Sequence, residues 1–262
     1  MNAQRNPEQH ALDTLRRGFG RDPSPSLAVR LDRLERLERA LVDNAEVLAE
    51  CVDQDFGGRS RHETMLADVV ATLDGLRHAR RHLRGWMRPR RVAPHPGFWP
   101  SRATVESRPL GVVGVLAPWN YPVNLALAPL GAALAAGNRV LVKPSEVTPR
   151  TAAALGRALR DVFSAEEVAV VEGGVEVARR VADLPLDHLF FTGSTRVGRE
   201  VAAAAARNLV PVTLELGGKS PALLLPGAPA ATAAARIAIG KLFNGGQTCI
   251  APDYVLVPRG SA

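Results

Sequence analysis

Gly111-Val112-Val113-Gly114-Val115-Leu116-Ala117 is a short apolar, largely β-branched run bounded by polar sequence, the composition of a strand buried on both faces of a parallel sheet. From it strands and helices alternate. Val123 to Ala136 suits a helix ended by Gly137-Asn138, Arg139 to Lys143 a strand, and Thr148 to Phe163 a helix opened by Pro149. Val168 to Val171, His188 to Phe191, Pro211 to Glu215 and Ala222 to Leu225 read as further strands. Glu176 to Ala182, Arg196 to Arg207 and the Ala-rich Ala230 to Phe243 read as helices. The rhythm implies an α/β fold, a parallel sheet covered by helices, with ligands beyond the carboxyl ends of the strands.

Upstream the texture differs. Residues 1 to 25 hold Pro7, Pro23 and Pro25 and read as a loosely ordered arm with a short helix. Leu27, Leu31, Leu34, Leu41, Leu48 and Val52 make one helical stripe ending near Gly57-Gly58, with Asp32–Arg36 and Glu35–Arg39 spaced to pair on its other side. Leu66, Val69, Leu73, Leu76 and Leu83 mark one face of a second helix. Pro89, Pro94, Pro96 and Pro100 make residues 89 to 100 a connector, and Arg102 to Arg108 an exposed strand.

The chain has 262 residues with 46% apolar content, enough for a sizeable core. No apolar span is long enough for a bilayer, and the polar N-terminus shows no secretory signal. Two cysteines without metal spacing fit unpaired thiols in a reducing compartment, so a cytoplasmic protein with no metal is expected. The net charge of +7 is carried mainly by arginine. The acid-free run Arg77, Arg80, Arg81, Arg84, Arg88, Arg90 and Arg91 reads as a solvated helix face continuing into a loop, and without interleaved aromatics it does not argue for nucleic acid.

Four polar clusters follow strand ends. Pro118-Trp119-Asn120-Tyr121-Pro122 offers an Asn amide suited to a developing oxyanion, or simply a turn Asn. Lys143-Pro144-Ser145-Glu146 can hydrogen-bond ribose hydroxyls, its acid disfavouring a 2′-phosphate, or form a surface ion pair. Phe191-Thr192-Gly193-Ser194-Thr195-Arg196-Val197-Gly198 enters a helix start that favours phosphate, or an ordinary Ser/Thr cap. Glu215-Leu216-Gly217-Gly218-Lys219 places an acid at a strand end, where partial removal from water would suit a general base; its ordinary reading is a capping or loop acid. Near the end, Asn244-Gly245-Gly246-Gln247-Thr248-Cys249-Ile250-Ala251-Pro252 presents a cysteine behind a glycine pair. A lone free cysteine is more often a small buried hydrophobe, the reading kept for Cys51.

Taken together, these five motifs, in this order, resemble the NAD(P)-dependent aldehyde dehydrogenase superfamily. Gly173-Gly174-Val175-Glu176-Val177 and Ala251-Pro252-Asp253-Tyr254-Val255 are most similar to the class 3 and fatty-aldehyde branch, with the coniferyl aldehyde dehydrogenases nearest. The resemblance covers about residues 26 to 258. It implies a helical N-terminal region followed by a Rossmann-like NAD-binding domain, and oxidation of an aromatic aldehyde such as coniferyl aldehyde, or of a fatty aldehyde, to the acid. Cys249 would attack as thiolate, Asn120 and the Cys249 backbone N–H would hold the oxyanion, and Glu215 would activate water against the thioester. Trp119, Lys143, Glu146, Gly193, Ser194, Gly198 and Leu216 would border NAD, with NADP possible.

The expected organisation is a helical region and connector over 1–100, the NAD-binding domain over 101–220, and the start of a catalytic domain over 221–262, shorter than the family's. A homodimer is expected of the full-length protein. The alternatives are a nucleotide-binding fragment without turnover by itself, and a thiol esterase using Cys249 and Glu215 without cofactor.

Overall fold

In β3 (Val112–Leu116) every residue is buried, because the strand occupies the middle of a five-stranded parallel sheet. A computed structural model describes residues 6–260. Before β3 come α1 (Pro7–Arg21), α2 (Leu27–Asp43), α3 (Ala45–Phe56), α4 (Arg61–Thr64), a π-helical turn Met65–Val70 leading into α5 (Ala71–Trp86), and an antiparallel pair β1 (Arg90–Val92) and β2 (Ala103–Val105). After it come α6 (Asn124–Ala135), β4 (Arg139–Lys143), α7 (Pro149–Val162), β5 (Val168–Val170), α8 (Val175–Ala182), β6 (His188–Gly193), α9 (Thr195–Ala206) and β7 (Val212–Leu216). The strand order is β5-β4-β3-β6-β7, all pairs parallel. The chain winds outward from β3 to β5, then crosses to β6, so the switch in direction falls between β3 and β6, where such sheets bind ligands.

The pleat sorts the core. Val113, Val115, Val140 and Val142 point to one face, under α2, α3, α5, α6 and α7; Val112, Leu116, Leu141 and Leu189 point to the other, under α1, α8 and α9. Helix α6 is sandwiched between sheet and outer helices and is therefore apolar almost all round. At Gly131 it touches Leu76 of α5 so closely that any added Cβ would collide. The remaining elements, β8 (Ser220–Leu223), α10 (Ala230–Leu242) and β9 (Pro252–Leu256), form a separate two-stranded parallel unit.

Several expectations are corrected. The arm over residues 1–25 contains a 15-residue helix, started by the Asn6 side chain and Pro7, whose Leu12 and Leu15 are buried against the sheet. The single stripe from Leu27 to Val52 is two helices broken at Asn44. In the second helical stripe Val69, Leu76 and Leu83 are buried but Leu66 is 59% exposed, because the π turn shifts the phase of the helix by an extra residue. Glu35 pairs across helices with Arg80, not along its own helix with Arg39. Part of the Pro-rich connector is strand β1, and Ala222–Leu225 lies in the two-stranded unit, not the main sheet. Arg77 and Arg80 reach Glu38, so part of the arginine run is neutralised. No helix among the described residues is long and apolar enough to cross a membrane.

Helix α2 is tied to the turn before β5 by one carboxylate. Glu167 accepts from Arg33 Nε at 3.1 Å and from Arg36 Nη2 at 2.8 Å and Nη1 at 3.0 Å. Burial would raise its pKa, but the hydrogen bonds from Arg36 and then Arg33 outweigh it and bring the group to about 2. A depressed carboxylate stabilises the fold above its ordinary pKa, and that contribution is lost as pH falls from about 4.5 to about 2. Glu167→Gln is expected to cost roughly 2–3 kcal/mol at pH 7. In urea titrations the gap between parent and variant should close below pH 4; a pH-independent gap would contradict the assignment.

Candidate active site

The carboxyl ends of β3, β4, β6 and β7 are level. Leu116 is opposite Lys143 on one side and Phe191 on the other, while Thr192 and Gly193 are opposite Glu215 and Leu216. Side chains just past these residues therefore converge on one opening, a cleft of about 1060 Å³. Trp119, Asn120, Lys143, Glu146, Gly193, Ser194, Glu215, Leu216 and Cys249 all line it.

At the end of β4, Lys143 is 2% exposed and its ammonium meets the Glu146 carboxylate in an ion pair. Burial pushes the Glu146 pKa up, but the hydrogen bond from Lys143 prevails and the group ends below its ordinary value. A buried cation and a half-exposed acid on the cleft floor offer a donor and an acceptor to vicinal hydroxyls. At the end of β6, a Cβ on Gly193 would sit 2.5 Å from the Phe191 ring. Ser194 caps α9, accepting from Val197 N–H at 3.3 Å, and the helix N-terminus faces the cleft. The Phe191 ring thus takes the space beside Gly193, and the N-terminus of α9 is the end of the cleft that can accommodate an anion.

Gly198 does not line the cleft. It is buried in the first turn of α9, where a Cβ would lie 2.7 Å from Leu216 Cδ2. Its role is to let α9 approach β7, and Leu216 is the residue it makes room for. Glu215 is exposed, not partly withdrawn from water, because β7 is an edge strand whose end opens into the cleft.

The cysteine loop arrives by a left-handed turn. After α10, Asn244, Gly245 and Gly246 have φ of 52°, 62° and 80°. Asn tolerates that region and glycine occupies it without penalty. The turn leaves Cys249 exposed and lays residues 247–248 against the loop after β3. Asn120 Nδ2 donates to Gln247 O at 2.9 Å, Asn244 Nδ2 donates to Asn120 O at 2.9 Å, and the Tyr121 and Thr248 hydroxyls share a hydrogen bond of 2.5 Å. Asn120 thus stands beside the Cys249 loop with its amide engaged, not free.

Reading the sequence missed several contributors. Arg179, Arg196 and Arg207 line the outer cleft, each paired with an acid: Glu176, Glu200 and Asp183 respectively. Asn244, Arg59 and Glu63 bind the two loops from behind. Only the position of Asn244 next to the glycine pair hinted at this; Arg59 and Glu63 carried no signal.

Comparison with known proteins gives the family and the fold. The model of the aldehyde dehydrogenase family matches residues 2–262. A probable coniferyl aldehyde dehydrogenase of Caulobacter vibrioides is 51% identical over 91% of this chain and 50% of its own length. Aldehyde dehydrogenase family 3 member B3 of Mus musculus is 38% identical over 95% of this chain and 52% of its own. Among solved structures, the substrate-bound state of Staphylococcus aureus AldH superposes with a TM-score of 0.91 at 35% identity, covering 96% of this chain and 55% of that one. A mutant of aldehyde dehydrogenase C from Pseudomonas syringae, complexed with NAD+ and octanal, gives 0.86 at 30% identity, covering 96% and 51%. The chain spans about half the length of the relatives it matches.

The two thiols differ in setting. Cys249 is exposed in the cleft, whereas Cys51 is half-buried in α3, where burial first and the Asp55 charge second push its thiol pKa up. Iodoacetamide at pH 7.5 is expected to alkylate Cys249 about tenfold faster or more, read by peptide mass mapping. Equal rates would mean that the cleft does not present the thiol.

Proposed function

The chain belongs to the aldehyde dehydrogenase family, and from that premise we propose that it contributes the nucleotide-binding half and the nucleophile of an enzyme oxidising an aldehyde to a carboxylic acid with NAD(P)+. The observation that carries the reading is the convergence of Cys249, Asn120, Glu215 and the Lys143–Glu146 pair on one cleft at the sheet's topological switch.

On this reading the Cys249 thiolate adds to the aldehyde carbon, and Asn120 Nδ2, turned from Gln247, donates with the Cys249 N–H to the resulting oxyanion. NAD(P)+, when bound, would supply the acceptor for the hydride lost from that carbon. Glu215 removes a proton from the water that attacks the thioester, and Cys249 departs as thiolate. Lys143 and Glu146 hold the adenosine ribose, and Gly193 and Ser194 border the pyrophosphate. The acid at Glu146 favours NAD over NADP, since a 2′-phosphate would meet a like charge. An aromatic aldehyde such as coniferyl aldehyde is the first substrate to try, followed by fatty aldehydes. Within this proposal residues 101–220 are the nucleotide-binding unit, residues 221–262 begin a catalytic unit, and the full-length protein is a homodimer.

A second reading, a nucleotide-binding unit without turnover by itself, is favoured by one feature. Helix α10 has no buried residue, and Ile239 and Leu242 are both 71% exposed, so apolar side chains of the cysteine-bearing unit stay uncovered among the described residues.

Incubation with NAD and coniferyl aldehyde is expected to yield NADH absorbance that Cys249→Ala abolishes. Glu215→Gln should leave a single burst without turnover, because thioester formation does not need the base. NAD binding without any NADH from the parent would favour the second reading. By calorimetric titration, Lys143→Ala is expected to weaken NAD binding about tenfold, or about 1.4 kcal/mol; an unchanged affinity would remove Lys143 from the ribose site.

A further inference from the structure

We propose that Arg59, Asp68 and Glu63, all from the N-terminal helical region, are positioning residues that hold the Asn120 loop in register with the Cys249 loop; this rests on the roles of Asn120 and Cys249 given above.

The Arg59 and Asp68 side chains are 2% and 0% exposed and 3.0 Å apart. Asp68 is a buried residue of the π turn, and π turns occur disproportionately at functional sites. Its Oδ1 accepts from the N–H groups of Val123 at 3.1 Å and Asn124 at 2.8 Å. These donors open α6, whose own cap residue, Val123, has no side-chain acceptor. Asp68 therefore caps α6 from another helix and fixes the far end of the Asn120 loop. Arg59 fixes its middle. Its guanidinium donates to Asn120 O at 3.3 Å and lies 4.9 Å from the Tyr121 ring and 5.2 Å from the Phe56 ring.

The second loop is gripped from the same side. Glu63 accepts from Asn244 N–H at 2.5 Å, within the left-handed turn, and Asn244 Nδ2 donates to the same Asn120 carbonyl that Arg59 reaches. One peptide oxygen thus receives a donor from each partner. Stability is a weak explanation for this arrangement. A buried ion pair recovers its desolvation cost poorly, and burial pushes the Asp68 carboxyl upward against the pull of the Asn124 N–H and Arg59. Geometry is the better one. The Asn120 amide must lie within hydrogen-bond distance of an oxygen formed on the carbon bound to Cys249, and the α6 cap, the ring stack and the shared carbonyl all act on that one segment.

The test combines hydrogen–deuterium exchange with aldehyde protection of Cys249 against iodoacetamide, on the full chain carrying Arg59→Lys, Asp68→Asn or Glu63→Ala. Exchange is expected to rise about tenfold in residues 118–124 and 244–250 while residues 188–193 and 212–216 stay unchanged. The aldehyde concentration giving half-protection should rise by a similar factor, with NAD affinity retained. Glu63→Ala removes only a half-buried side chain, so it carries the test if Arg59→Lys or Asp68→Asn does not fold. Unchanged exchange, or a rise spread evenly over the sheet, would overturn the positioning role. Failure of the aldehyde to protect Cys249 in the parent would instead overturn the proposed chemistry, leaving the exchange result to judge the loop clamp separately.

Discussion

The Asn120 peptide is where the cleft is joined. A parallel sheet ends in loops that no ladder hydrogen bond restrains, so the position of a group on such a loop depends on other contacts. Here two loops 127 residues apart in sequence are matched by Asn120 to Gln247 and Tyr121 to Thr248, with Asn244 closing the ring onto the Asn120 carbonyl. Little apolar burial assists them on the cysteine side, since α10 has no buried residue. The register of thiol and amide is therefore held mainly by polar contacts, whose strength depends on direction and distance.

That arrangement needs a rigid support, which the sheet and its two helical layers supply. Crossing from β5 back to β6 leaves an opening between β3 and β6. The flush strand ends put Lys143, Leu116, Phe191 and Glu215 at one level around it. The N-terminal helices do more than cover this core. Leu12 and Leu15 of α1 fill one face, α2, α3 and α5 fill the other, and Asp55 of α3 caps α7 by accepting from Thr151 N–H at 2.8 Å. Helices that precede the sheet in sequence thereby determine where its loops stand.

Errors in reading the sequence share a physical origin. The buried strands were legible because a strand covered on both faces must be apolar throughout, whatever covers it. Leu66 was misplaced because the π turn changes the helical phase without changing composition. The α1 helix was undervalued because its flanking prolines suggest a loose arm, whereas Pro7 stands where a helix tolerates it and the sheet supplies the surface for its apolar side. The resemblance puts Gly198 beside NAD, and in the fold the space it leaves is occupied by Leu216. A glycine kept for close helix–strand approach and one kept for a ligand look the same in sequence.

The sequence by itself determined the alternation of strands and helices from Gly111 to Glu215, and it marked out the candidate groups that line the cleft: Asn120, Lys143, Glu146 and Glu215 at or after strand ends, and Cys249 in the loop before β9. Those properties are local, since periodicity and composition answer to the burial of each element in turn. Only the tertiary structure decided that Arg59, Glu63 and Asp68 stand behind the two loops, that the Asn120 amide faces Gln247, and that Glu215 is open to solvent. Such contacts depend on where crossovers return the chain. A residue's own neighbours in sequence carry no record of a hydrogen-bond partner more than a hundred positions away.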